Sequence, residues 1–241
     1  MSMARTLIKR VIVTVLSCAG VSVSWQVVAE VASAGEITLV TGNAKVWSAG
    51  GKSRFIKTGS LIYEGDSVET QKNSRVKIKY SDGSIMLLRP QTKWLVEKYN
   101  YSNVAESISE NRLLKGGLRV VTGKIAKLNK RKYIIETSVA TLGVRGTDIT
   151  IRLCQDDCND QQAYAAPAPE NGLYTGVNKG GITLTNESGS RGYNVGQFGY
   201  VAGIKSKPVL LPSVPAMFVI DNLPDPTTSN IEDYKKGKIC N

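Results

Sequence analysis

The chain has 241 residues, 41% of them hydrophobic and 7% aromatic, enough for one large β domain or two small ones around a real core. Its formal charge of +11, from 31 Lys and Arg against 20 Asp and Glu, suits acidic partners such as lipid headgroups, anionic polymers or acidic protein surfaces. It contains no histidine, which excludes Ser-His-Asp and Cys-His nucleophilic sites and any His-based metal centre, and removes the commonest general base.

The N-terminus reads as a secretory signal over residues 1–34. Arg5, Lys9 and Arg10 precede an apolar run from Val11 to Val23. That run is short beside the roughly 20 residues of a spanning helix. Ala32-Ser33-Ala34 is the expected cleavage site, with Val27-Val28-Ala29 competing nearer the apolar run. Val15-Leu-Ser-Cys18 is a poor lipoprotein box because Leu16 is unusual at its position, so lipidation is not expected. No second long apolar run follows, and no retained membrane span is expected.

Short strands with glycine-rich turns are expected over residues 35–203. Ile37 to Gly42 and Ala44 to Trp47 read as two strands of a hairpin turning at Gly42-Asn43. A Gly and Ser loop spans Ser48 to Ser53, and Glu64-Gly65-Asp66 is a turn. Val76, Ile78 and Tyr80 alternate with polar residues, Ser81 to Ser84 closes a hairpin, and Ile85 to Leu88 suits a strand buried on both faces. Pro90 ends that strand; Trp94, Val96 and Tyr99 resume the alternation. Tyr101 to Asn111 lacks a β period and is expected as a loop or short helical turn.

Gly117 to Gly123 is the next strand. Lys127 to Lys132 is expected as a basic hairpin tip before a strand at Tyr133 to Thr137. Leu142 to Thr147 reads as a bent strand or tight crossover, with Gly143 and Gly146 serving backbone geometry and Arg145 displayed at the bend. Arg145 suits either an internal clamp onto Asp66 or Asp82, the preferred reading, or a partner contact. A loop insertion spans 154–171, followed by strands at Leu173 to Val177 and Gly181 to Thr185, a turn at Asn186 to Gly189, and a closing pair from Tyr193 to Val201. Residues 204–241 form a Pro-rich extension; Lys207 to Pro215 favours an extended tail, and Met217 to Ile220 could dock as an edge strand. The fold class is therefore all-β, an antiparallel sandwich or roll of many short strands, with a solenoid-like roll as the alternative.

Several of these segments resemble, in order, a known family. They are Glu64 to Thr70, Val76 to Ser84, Ile85 to Thr92, Lys115-Gly-Gly-Leu-Arg-Val120 and Ala140-Thr-Leu-Gly-Val-Arg-Gly-Thr-Asp148. Together they look like the FecR-type domain, the periplasmic sensor domain of iron-transport regulators, over roughly residues 36–202. The resemblance implies a periplasmic β module that works through protein contacts. In classical members a cytoplasmic segment controls a sigma factor, and a transmembrane helix leads to this domain. The present chain departs from that plan, having a signal peptide instead. Arg145, Gly146, Thr147 and Asp148 form the candidate interaction or structural motif.

Cys154-Gln-Asp-Asp-Cys158 is the sharpest chemical signal. Two thiols in one loop of an oxidising compartment suit a disulfide staple, whereas the spacing is not that of a C-x2-C redox site and no second pair exists for zinc. Cys240 is left over. Asp156, Asp157 and Asp160 lack the spacing of a calcium loop. Trp47 and Trp94 are expected in the core. The chain is thus expected to be periplasmic or secreted, to bind an envelope protein, and to lack catalysis, cofactor and metal. The alternative occupant is peptidoglycan or another acidic envelope glycan, and nothing points to nucleic acid.

Overall fold

The structure, a computed structural model, describes residues 32–102, 106–129, 131–158, 169–220 and 226–227. The expected signal peptide, apart from its last three residues, lies outside the described residues, as do Asp160 and Cys240.

The strands in chain order are β1 (Gly35–Thr41), β2 (Ala44–Trp47), β3 (Ser53–Phe55), β4 (Leu61–Ile62), β5 (Ser67–Thr70), β6 (Arg75–Tyr80), β7 (Ile85–Leu88), β8 (Lys93–Asn100) and β9 (Ile108–Val121). After a single-turn helix α1 (Ile125–Leu128) come β10 (Tyr133–Glu136), β11 (Thr141–Cys154), β12 (Gly172–Asn186), β13 (Gly189–Asn194), β14 (Phe198–Val201), β15 (Val209–Leu211) and a short helix α2 (Ala216–Ile220). The fold is all-β, as the alternation implies.

Pairing is continuous, but three long strands divide it into two layers. The first layer runs β4-β1-β6-β7, then the C-terminal half of β9, the C-terminal half of β11, the N-terminal half of β12, β14 and β15. The second runs β3-β2-β5-β8, then the N-terminal half of β9, β10, the N-terminal half of β11, the C-terminal half of β12, and β13. Strands that change sheets do so at bends. Here each bend has a glycine in the left-handed region: Gly116 in β9 (φ 81°), Gly146 in β11 (φ 60°) and Gly180 in β12 (φ 78°). Gly116 lies opposite Leu153, whereas Gly146 and Gly180 adjoin one another beyond Asp148. The chain therefore rolls over at opposite ends, making a two-layer sandwich.

One apolar core fills the space between the layers. Ile78, Met86, Leu118, Ile149 and Ile151 face it from the first layer, and Val46, Val68, Trp94, Leu113 and Leu142 from the second. Trp94 Nε1 donates to Tyr80 Oη (3.0 Å) across the core, and Asn111 Nδ2 donates to Ser109 Oγ (2.8 Å). Burial raises the Tyr80 and Tyr133 phenols well above their ordinary range.

Several local expectations change. Ile37–Gly42 and Ala44–Trp47 do not form a hairpin: β1 pairs with β4 and β6, and β2 with β3 and β5. The Gly42 turn (φ 71°) instead carries the chain from one layer to the other. Ile108 to Asn111 belong to β9 rather than to a loop. The basic segment after Gly123 is no hairpin tip, because β9 and β10 run parallel and α1 forms the crossover. The strands expected at Leu173–Val177 and Gly181–Thr185 are one bent strand, β12. In the tail, Met217 is buried, but in a helical turn and not an edge strand. Ile85–Leu88 is buried on both faces as expected, Leu87 packing outward against Leu39.

Candidate functional site

The Arg145–Asp148 turn sits where β11 changes layer, and its four residues do different things. Thr147 is buried; its N–H donates to Thr122 Oγ1 (2.8 Å) and its carbonyl accepts from Thr122 N–H (2.9 Å), which ties the corner to the end of β9. Gly146 supplies the left-handed residue. Asp148 is 8% exposed and accepts two bonds from Arg119, Nε to Oδ1 at 2.9 Å and Nη2 to Oδ2 at 2.7 Å. Asn178 Nδ2 on β12 donates to the same carboxylate at 3.2 Å. The fork-on-carboxylate geometry is the strong, oriented form of an ion pair.

The Arg145 side chain is exposed and makes no hydrogen bond or ion pair among the described residues. It clamps neither Asp66 nor Asp82, contrary to the preferred expectation. Asp66 is held by Arg54 Nη2 (2.8 Å) and the Tyr63 N–H (3.1 Å). Asp82 accepts from Ser84 N–H and Oγ (both 2.9 Å) and from Ile125 N–H (3.2 Å), so it fastens the β6–β7 hairpin to α1. A clamp does exist at the bend, but between Arg119 and Asp148. Sequence reading missed Arg119, although the alternation Leu118-Arg119-Val120 already sets it on the face opposite the core.

Beside Arg145 the outer face of the second layer is hollow. A groove of about 580 Å³ runs over β10 to β13. Its floor is built from outward residues in register, Gly143 beside Thr183 beside Gly192, then Arg145 beside Gly181 beside Asn194. Gly143 was expected to serve backbone geometry. Its φ lies outside the left-handed region, and an added Cβ would meet no atom nearer than 4.0 Å. A second cleft, about 320 Å³, lies along Ser188–Arg191 and is bounded by Lys207 and Pro208.

Cys154 and Cys158 are joined in a disulfide, their α-carbons 5.4 Å apart. The bond is buried in a small cluster with Tyr174 and Met217, outside the main core. Asp156 and Asp157 are engaged within the loop by Asn171 and Gln155. Among the described residues no group of three metal-ligating side chains converges, and no helix is long and apolar enough to cross a membrane. Trp94 is fully buried as expected. Trp47 is instead 39% exposed, its Nε1 donating to Glu69 Oε2 (3.0 Å), because its strand lies near the sheet edge where only β3 follows.

Ala34, the expected cleavage residue, is buried at the start of the domain. Its N–H donates to Ile62 O (2.8 Å) and its carbonyl accepts from Ser81 N–H (3.0 Å).

No curated protein matches the chain. Two crystal structures of a candidate anti-sigma factor from Parabacteroides distasonis ATCC 8503 share 11% identity with it. Each alignment covers 61% of this chain and 59% of that one, with TM-scores of 0.46 and 0.45, so the chain spans about three-fifths of their length. A cell surface anchoring domain is 29% identical over 26% of this chain and 82% of its own, with a TM-score of 0.25. The family model described as FecR protein matches residues 66–161, the segment from Asp66 and β5 through Asp82, Arg119, the Arg145–Asp148 turn and the disulfide, so this stretch of the chain is similar to a FecR-type domain.

Proposed function

We propose that the chain is an exported, non-catalytic binding module of envelope signalling, which takes up an extended segment of an acidic protein partner along β13. The observation that carries this reading is the open edge of β13. The strand pairs only with β12 among the described residues, and its residues are exposed apart from Tyr193. Asn194 N–H turns away from β12 to Gln197 Oε1 (2.8 Å). With the strand period of two, the N–H groups of Gly192 and Ser190 face the same open side. An incoming strand would find unpaired backbone there, which is how sheet edges recruit peptides. Arg191 and Lys207 border the adjoining cleft and favour an acidic segment.

The export signal is cleaved at the upstream site after Ala29. Cleavage after Ala34 would leave Ile62 and Ser81 without the two backbone bonds that Ala34 makes. Mass spectrometry of the mature N-terminus is expected to read Glu30; a start at Gly35 would refute this assignment.

A photo-crosslinking residue at Ser190, introduced into the chain in intact envelopes, is expected to trap a discrete protein. Ser190→Pro removes one edge donor without breaking the β12 ladder, since proline is tolerated on edges. It should abolish capture by a probe placed at Arg191 while the melting temperature holds. Capture unaffected by Ser190→Pro would rule out strand uptake at this edge.

A further inference from the structure

We propose that the groove on the outer face of β10–β13 is a binding site for an acidic polysaccharide, separate from strand uptake at the β13 edge. The first observation is the missing side chains. Gly143 and Gly192 lie mid-strand with φ outside the left-handed region, and a Cβ at either would meet nothing closer than 4.0 Å. Neither glycine is required by the backbone or by packing, and glycine inside a strand weakens it. What their absence of side chains does produce is an open floor, in a groove whose volume of about 580 Å³ falls within the roughly 300–1,000 Å³ of small-ligand sites.

The second observation is charge. Arg131 and Arg145 line the groove and no acidic residue does. Both arginines are exposed, and Arg145 has no internal partner among the described residues. An occupant with carboxylates would pair with these guanidinium groups in the fork geometry they favour.

The third observation separates a sugar chain from a peptide. In the floor, β11 is paired on one side by β10 and on the other by β12, and β12 by β11 and β13. The middle of the floor, at Gly143 and Thr183, is therefore paired on both sides and has no backbone donors or acceptors to offer, and an extended peptide laid across it would leave its own amides unmatched there. Thr141, Thr183 and Thr185 present hydroxyls, which both donate and accept, as sugar hydroxyls do. Threonine methyls and Ile134 give the C–H faces of sugar rings an apolar surface.

The test uses the full chain and calorimetric titration with polygalacturonate, a uronic-acid polymer, alongside neutral dextran and polyglutamate. Polygalacturonate is expected to bind, more weakly as salt rises, with dextran at least roughly ten-fold weaker. Gly143→Leu, which fills the floor, and Arg145→Ala, which removes the cation, should each lower affinity by roughly ten-fold or more with melting unchanged. Gly192→Leu serves as a second filling variant should Gly143→Leu misfold. Gly143→Leu, on β11 and away from the β13 edge, should still capture the protein partner trapped from Ser190, so the two proposals fail separately. Filled variants that bind as well as the parent chain would mean diffuse attraction to a basic surface and overturn the site. Loss of binding in Trp47→Ala instead would move the site to the β2–β3 aromatics and overturn it too. Polyglutamate binding as tightly as polygalacturonate, with the same sensitivity to Gly143→Leu, would make the occupant an acidic peptide.

Discussion

At the scale of single residues, the Arg145–Asp148 turn separates a structural pair from a displayed cation. Arg119 and Asp148 are 14% and 12% exposed at their side chains and meet through two short bonds. Removing one partner leaves the other charge largely desolvated, which costs about 3 kcal/mol at the low end for buried pairs. Arg119→Ala should accordingly lower the melting temperature by roughly 6–12 °C for a domain of this size. Arg145→Ala touches no internal partner and should leave it within about 1 °C, as exposed substitutions usually do. Thermal denaturation of the two variants side by side decides the assignment; equal losses would return Arg145 to a structural role. The need for a clamp at the bend was legible in the sequence, because a corner that leaves the sheet must be held. Which arginine holds it was not. That depends on the register of β11 against β9, a long-range fact that sets Asp148 opposite Val121 and so within reach of Arg119.

At the scale of elements, the short strands were legible and the long ones were not. Val76, Ile78 and Tyr80, or Trp94 and Val96, alternate cleanly because each strand faces core on one side throughout. β9, β11 and β12 pass through a corner, where a glycine interrupts the period of two, so each reads as two pieces or as a strand and a loop. The parallel β9–β10 pairing was hidden for a related reason. The segment after Gly123 reads locally like a turn, but the crossover from Arg112 to Tyr133 also includes the C-terminal half of β9 in the other layer, which with α1 brings β10 back alongside the start of β9. The disulfide was legible from spacing, but its setting was not. It supports the satellite cluster beneath α2, with Tyr174 and Met217, and not the core between the layers. A ring this short contributes less than the roughly 3 kcal/mol of a 15-residue loop. Replacing Cys154 and Cys158 by Ser should therefore shift global melting by only a few degrees, about 2–4 °C per kcal/mol lost. Hydrogen exchange should meanwhile rise sharply at Met217 and Phe218. Unchanged exchange there, or a collapse of the whole transition, would contradict this division of labour.

At the scale of the whole molecule, the pH response follows from which groups are buried. The chain has no histidine, so no side chain with an ordinary pKa titrates between about pH 6 and 8. Tyr80 and Tyr133 are fully buried in the core, and burial, with a smaller push from the nearby Asp82 carboxylate, raises both phenols. In the unfolded chain a phenol ionises near 10. Above that pH the unfolded state sheds protons that the folded state keeps, so it binds fewer protons and stability falls as pH rises. Below about pH 10 both states are protonated and the contribution is flat. Each buried tyrosine should therefore steepen alkaline destabilisation by about 1.4 kcal/mol per pH unit above pH 10. Urea unfolding from pH 7 to 11 checks this. The free energy should stay level to about pH 9 and then drop, and Tyr133→Phe should reduce the alkaline slope by about one tyrosine's share. A free energy that holds level through pH 11 would mean that these phenols reach solvent, and that the core between the two layers is less closed than the burial of Tyr80, Trp94 and Tyr133 requires.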